Sequence, residues 1–253
     1  MKDNKKFLTG NSGDVVYVDS GYVVKKAGLY PDKFEQQMNW LYECEHPNFI
    51  KIVPIDNNTY VMLKYPTWYS LILKQSIKTS LSQLNELLDI VDNFEGEACD
   101  VKTDVYLSKL SQRTGYTYTG KFDATSKWGF VHGDLTVGNC LYKEKMILID
   151  PRGTYEQDYY DYGKLMQSFV MKYEMLLSGK HSNKYDNFCN AAKNLMYERY
   201  DRYQLDFFLA VHLLGAVPFL KDNNRLCLAD LFLEKGHEIF KQLDIKYEIT
   251  QNN

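Results

Sequence analysis

Short runs of β-branched and aromatic residues dominate the first third of the chain. Residues 14–19 (DVVYVD) and 22–25 (YVVK) predict two strands, and Ser20-Gly21 between them predicts a tight hairpin turn. Phe7-Leu8 predicts a strand upstream, followed by a turn that carries Gly10 and Gly13. The period then changes. Pro31 opens a helix whose Phe34, Met38, Leu41 and Tyr42 share a face, and His46-Pro47-Asn48 stops it. Residues 50–55 and 60–63 return to a strand pattern around the turn Asp56-Asn57-Asn58. From about residue 68 the apolar spacing becomes helical, at 81–91, 161–177, 184–198 and 203–217. Embedded among these helices, 140–142 and 146–149 predict two short strands joined by the charged turn Lys143-Glu144-Lys145.

This order predicts an α+β protein with a small β-rich N-terminal lobe, residues 1–65, and a larger helical C-terminal lobe, residues 66–253. Lys64 to Pro66 is the expected hinge, and a cleft between lobes is a preferred place for a ligand.

Composition narrows the class. The chain is 45% hydrophobic and 25% charged, with a net charge of −3, which excludes a disordered, collagen-like or disulfide-scaffold protein. So near-neutral a chain has no global electrostatic reason to bind nucleic acid or an anionic membrane. No apolar run follows the charged N-terminus, so no secretory signal is expected. The most apolar stretch, 207–220, is short for a membrane span and is expected to end at Pro218 as a buried core helix. Five dispersed cysteines without a CxxC pair argue against zinc and for a reducing, cytoplasmic setting.

The chemistry concentrates in residues 131–153. Asp134 and Asn139 lie five residues apart in a loop that leads into the first short strand, and Asp150 ends the second. The hairpin turns the chain back, so Asp150 is expected near Asn139. An amide oxygen beside a carboxylate suits a hard cation that keeps several waters, Mg²⁺, and leaves Asp134 free to receive a substrate proton. Arg152 is unusual beside a metal site. It fits either an anionic acceptor or phosphate, or a salt bridge to Asp158 or Asp161.

The stretch H-G-D-L-x-x-x-N followed by I-D resembles the catalytic loop of protein-kinase-like phosphotransferases, in the branch of aminoglycoside phosphotransferases and choline/ethanolamine kinases. Asp150-Pro-Arg-Gly-Thr154 further resembles small-molecule kinases met in bacterial capsule and polysaccharide loci. The resemblance implies a two-lobed protein-kinase-like fold and phosphoryl transfer from ATP or GTP, with Mg²⁺, to a hydroxyl of a small molecule such as a sugar, amino alcohol or polysaccharide precursor. It makes Asp134 the catalytic base, Asn139 and Asp150 the magnesium ligands, and His132 a structural loop residue. Lys25, with Lys26 as its neighbour in register, matches the lysine that holds the α/β-phosphates. Glu35, with Gln37 and Glu43 as competitors, matches that lysine's helix partner. Gly10 to Gly13 match the phosphate-covering loop, and residues 62–65, with Leu63 and Tyr65, match the hinge that reads the base. Asp161 is expected to brace the catalytic loop. Two departures stand out: a second lysine follows Lys25, and Asp-Pro-Arg replaces Asp-Phe-Gly. The competing readings are an antibiotic phosphotransferase and a nucleotide-binding scaffold without catalysis. A protein kinase fits poorly, because only ten residues separate Asp150 from Asp161 and no Ala-Pro-Glu segment is present.

Overall fold

Five antiparallel strands form the N-terminal sheet: β1 (Lys6–Thr9), β2 (Val15–Asp19), β3 (Tyr22–Lys26), β4 (Ile52–Asp56) and β5 (Thr59–Leu63). Their order across the sheet is β1-β2-β3-β5-β4. The structure, a computed structural model, describes residues 6–9 and 14–249; Gly10 and Gly13 lie outside the described residues. Ser20 and Gly21 both have positive φ, 46° and 90°, as a two-residue hairpin that follows the strand twist requires. Pro54 sits on the outermost strand, β4, where a missing N–H costs no ladder bond. Helix α1 (Pro31–Glu43) packs on the sheet through Phe34, Met38 and Leu41, and Phe34 stacks on Tyr60 of β5 with ring centres 5.3 Å apart.

The rest of the chain runs α2 (Trp68–Ile72), α3 (Ile77–Asp92), β6 (Gly96–Asp100), α4 (Thr103–Thr114), β7 (Tyr116–Thr119), β8 (Thr125–Val131), β9 (Cys140–Tyr142), β10 (Met146–Leu148), β11 (Thr154–Gln157), α5 (Tyr159–Val170), α6 (Tyr173–Ser178), α7 (Asn183–Arg199), α8 (Arg202–Asp222), α9 (Leu226–Gln242) and β12 (Lys246–Ile249). The predicted two-lobed, protein-kinase-like α+β fold is the one observed.

Three expectations change. The helix predicted over 161–177 is two, α5 and α6, because Lys172 adopts a left-handed conformation between them. Pro218 lies inside α8 instead of ending it; only the bond to a carbonyl one turn back is lost, close to the helix end. At 21 residues α8 is also longer than expected, long and apolar enough by length and composition to cross a membrane. It is instead a core helix whose Leu205 to Leu214 are buried, with α5 and α9 packed closely on it. A Cβ on Gly163 would meet Phe208 at 2.5 Å, and one on Gly236 would meet Leu214 at 2.6 Å, so two missing side chains set these approaches. Finally, β6, β8 and β11 form a three-stranded sheet that the sequence pattern does not announce. Gly129 makes it possible, since a Cβ there would fall 2.0 Å from the carbonyl oxygen of Glu95.

That sheet and the β9–β10 hairpin position the site. Pairing of Thr154 with Val131 ties the chain after Asp150 to the chain before His132. Across the lobes, the Ile50 amide donates to Leu148 O (3.0 Å) and the Leu148 amide to Asn48 O (2.7 Å), and at the hinge the Tyr142 amide donates to Pro66 O (3.0 Å). The hinge and the α1–β4 connection are thus both zipped to the hairpin.

Candidate active site

The loop from His132 to Asn139 is held from below by α5. Asp161, fully buried in the first turn of that helix, accepts the His132 amide at 2.6 Å and the Gly133 amide at 2.8 Å. Burial pushes its carboxyl up to about 7 against the pull of those two amides. The expected bracing role of Asp161 is therefore the geometry found. His132 is buried as well. Its Nδ1 accepts the Asp134 amide (3.2 Å), so Nε2 carries the proton and donates to Ile149 O (2.9 Å). Burial lowers its pKa to about 4, which leaves a neutral ring pinning the loop to the end of β10.

The hairpin brings Asn139 and Asp150 together as predicted: the Ile149 amide, one residue before Asp150, donates to Asn139 O at 3.0 Å. Asn139 Nδ2 donates to the backbone oxygen of Asp134 (2.8 Å) and to its Oδ2 (3.2 Å), which turns the amide oxygen of Asn139 away from that carboxylate. Asp150 has φ +57°, a left-handed conformation that Asp tolerates better than most residues.

Asp150 then reaches across the lobes. Its Oδ1 accepts from Lys25 Nζ at 2.8 Å and from the Tyr60 hydroxyl at 3.3 Å. Strand alternation decides between the two lysines, since Lys25 is 5% exposed and Lys26 points outward to solvent. The helix partner differs from the expectation. Glu35 has no ion-pair partner among the described residues and Glu43 is exposed; Gln37 stands 3.5 Å from Lys25 Nζ. Two residues turn the helix by about 200°, so Gln37 lies on the face that meets β3 while Glu35 points away, and Gln37 Nε2 also donates to Pro151 O at 2.7 Å. A neutral amide cannot balance the lysine. Asp14 does so instead, with Oδ2 at 3.3 Å from Nζ and Oδ1 accepting the Gly28 amide. Burial by itself lowers the Lys25 pKa, but Asp150 and Asp14 together raise it, so the ammonium is firmly charged.

At the other end, Asp134 Oδ1 lies 3.2 Å from Lys164 Nζ and 3.7 Å from the Arg152 guanidinium. Burial alone would raise the Asp134 carboxyl; Lys164 first, and Arg152 after it, outweigh burial and hold it well below the usual carboxylate range. The predicted salt bridge of Arg152 to Asp158 or Asp161 is replaced by this contact to Asp134. Lys164 was not among the sequence candidates. Its signal is a lysine one helical turn after Asp161, in a helix whose Tyr162, Leu165 and Met166 are all buried. Leu63 ends β5 half exposed, and Tyr65 follows it, where the Lys64 amide bonds Gly21 O and the next residues join the hairpin.

No family model matches the sequence, and no curated protein matches it. Solved structures do. A choline/ethanolamine kinase family protein from Mesorhizobium loti superposes with a TM-score of 0.59 at 12% identity, covering 94% of this chain and 88% of that one. The choline kinase LicA from Streptococcus pneumoniae gives 0.56 at 11% identity over 94% of each chain. The chain has the fold of the small-molecule phosphotransferases. An aminoglycoside phosphotransferase in ternary complex with ADP and hygromycin B superposes equally well, with a TM-score of 0.61 at 7% identity over 94% of each chain. In this chain Lys25 and Asp150 touch across the two lobes, and Asn139 bonds Asp134 on the adjoining loop.

Proposed function

We propose that the chain is a kinase that moves the terminal phosphoryl group of ATP or GTP, with Mg²⁺, onto a hydroxyl of a small molecule in the cytoplasm. The observation that carries this reading is the contact across the lobes. Lys25 on the N-terminal sheet touches Asp150 on the loop after the hairpin, and Asn139 and Asp134 lie on the adjoining loop. Residues 1–65 would act as the nucleotide lobe, with Leu63 and Tyr65 at the base, and 66–253 as the catalytic and acceptor lobe.

Asn139, just before β9, and Asp150, two residues after β10, offer two hard oxygens at the open end of the hairpin, a donor set that fits Mg²⁺ retaining waters and phosphate oxygens. Bound there, the ion would neutralise charge on the terminal phosphates. Lys25 is the ammonium for the α/β-phosphates, held in place by Asp14. Asp134 orients the acceptor hydroxyl. The hydroxyl oxygen attacks the terminal phosphorus, the bond to the bridging oxygen breaks with departure of the nucleoside diphosphate, and the hydroxyl proton passes to the Asp134 carboxylate. With Lys164 keeping that carboxylate weakly basic, positioning contributes more than proton abstraction.

The test is nucleotide binding followed by turnover. Mg–AMP-PNP should raise the melting temperature, and coupled ADP release should appear with at least one member of a panel of sugars, polyols, amino alcohols, sugar phosphates, hydroxy acids and aminoglycosides. Nucleotide binding with no turnover across that panel would favour a binding scaffold, and absence of binding would remove the kinase reading.

A further inference from the structure

We infer that the acceptor of this kinase is an anion, a hydroxyl compound that carries a phosphate or carboxylate, and that the Arg152 guanidinium receives that group. The inference rests on the kinase reading above and adds the charge of the substrate.

Two cations converge on Asp134. Lys164 and Arg152 both approach one oxygen of one carboxylate. The other acidic groups near Arg152 are already committed. Asp161 gives both oxygens to backbone amides of the catalytic loop. Glu156 accepts from the Tyr106 hydroxyl at 2.8 Å and from Lys109 at 3.3 Å. Among the described residues, Asp134 is thus the carboxylate in direct contact with these two cations, while Asp161 and Glu156 act on Arg152 from further away.

The two cations differ in a way that assigns them different tasks. The Lys164 side chain is 11% exposed and sits under Asp134, so it sets the state of that carboxylate. The Arg152 side chain is 52% exposed, and at 3.7 Å its approach to Asp134 is a charge contact too long for a hydrogen bond. A guanidinium presents five donors in a rigid fork that matches phosphate and carboxylate oxygens.

The stem of Arg152 is also fixed before any ligand arrives. Its amide donates to His132 O at 2.7 Å, and Pro151 ahead of it restricts the chain. Gly153 behind it has φ +61° and lies so close to Trp40 that a Cβ would come within 3.0 Å of the ring. The Arg152 side chain runs across the catalytic loop over Gly133, where a Cβ would meet Arg152 Cβ at 3.0 Å and Cδ at 3.4 Å. Glycine after His132 thus lets the arginine lie flat and aim its head past Asp134. A half-exposed, pre-aimed guanidinium beside the hydroxyl-orienting carboxylate is the arrangement for an acceptor whose anionic group lies a few bonds from its reacting hydroxyl. A quaternary ammonium or polyamine acceptor would meet like charge instead.

Two measurements test this. First, Mg–AMP-PNP is bound to saturation, and inorganic phosphate is titrated in at constant ionic strength while the melting temperature is followed. Phosphate should stabilise the wild type further, choline chloride should not, and Arg152→Ala should abolish the phosphate effect while Arg152→Lys retains part of it. Second, ADP release is compared for glycerol, glycerate, glycerol 3-phosphate and choline. The anionic members should have at least tenfold higher kcat/KM than glycerol, and Arg152→Ala should remove that preference by raising their KM. Phosphate acting no better than chloride, or an undiminished phosphate effect in Arg152→Ala, would overturn the assignment. So would a cationic or neutral acceptor preferred over its anionic match. Loss of the AMP-PNP shift itself is a different failure, since it removes the kinase reading and not the charge of the acceptor alone.

Discussion

The two ends of the cleft are built from the same residue types in opposite proportion. At the nucleotide end one ammonium, Lys25, faces two carboxylates, Asp14 and Asp150. At the acceptor end one carboxylate, Asp134, faces two cations, Lys164 and Arg152. By direct contacts alone the first set carries one negative charge in excess and would be completed by a divalent cation, whereas the second carries one positive charge in excess and would be completed by an anion. The distance between them is short along the chain as well as in space, because Asn139 bonds Asp134 with its side chain and the Ile149 amide with its backbone oxygen.

The largest effect is expected where the comparison turns on a single oxygen pair. Asp134→Asn keeps the shape of the side chain and removes its charge, so kcat should fall by about 10²–10⁴-fold. Mg–AMP-PNP binding should persist, since Lys25, Asp14, Asn139 and Asp150 are untouched. Turnover near the wild-type rate would show that Asp134 does not face the acceptor.

A smaller effect sharpens the role of the buried cation. Lys164→Met takes away the strongest influence holding the Asp134 carboxyl down, and burial then acts against the weaker pull of Arg152 and His132. The sign follows directly: a base that must be ionised to orient the hydroxyl now protonates at higher pH. The acid limb of kcat/KM should move up by about 1–3 pH units. Lys164→Arg should move it back toward the wild type. A lower rate with an unchanged acid limb would mean that Lys164 supports the fold and not the state of Asp134.

What the sequence discloses about these two ends depends on how local each contact is. The loop from His132 to Asp150 is legible because a five-residue spacing and a short hairpin leave few ways to place three polar side chains. Lys25 is legible against Lys26 once the β3 alternation is continued from Val23. The helix partner is not, because Glu35 and Gln37 are two residues apart, and the crossing angle of α1 on the sheet, which a linear pattern does not carry, chooses between them. Asp14 is missed for a related reason: it precedes β2, and its reach to Lys25 depends on the β2–β3 pairing. Lys164 is missed because a charged residue in a helix is ordinarily read as solvated, and burial on all sides becomes visible only when α5 packs under the loop. The sheet of β6, β8 and β11 is least legible, since its strands are polar and exposed in part and depend on Gly129 for a backbone approach.

The smallest expected effect tests the nucleotide end. Asp14→Asn would reduce the negative excess there from one charge to none, while Asp150 remains bonded to Lys25 at 2.8 Å. Asp14 is well shielded, with its side chain 10% exposed, and its second oxygen secures the Gly28 amide, a bond that asparagine can also accept. The fold should therefore be kept and the change confined to charge. Because Asp150 stays on the ammonium, no buried charge is left unpaired, and losing the second carboxylate is worth about 1 kcal/mol, which is roughly a fivefold change in an equilibrium constant. The Mg²⁺ concentration that half-saturates turnover should rise by about that factor, and the phosphate-induced stabilisation at the acceptor end should stay as it is. If the same substitution instead altered the phosphate response and left the Mg²⁺ dependence alone, the two ends would share one charge balance, and the opposition drawn between them would have no physical basis.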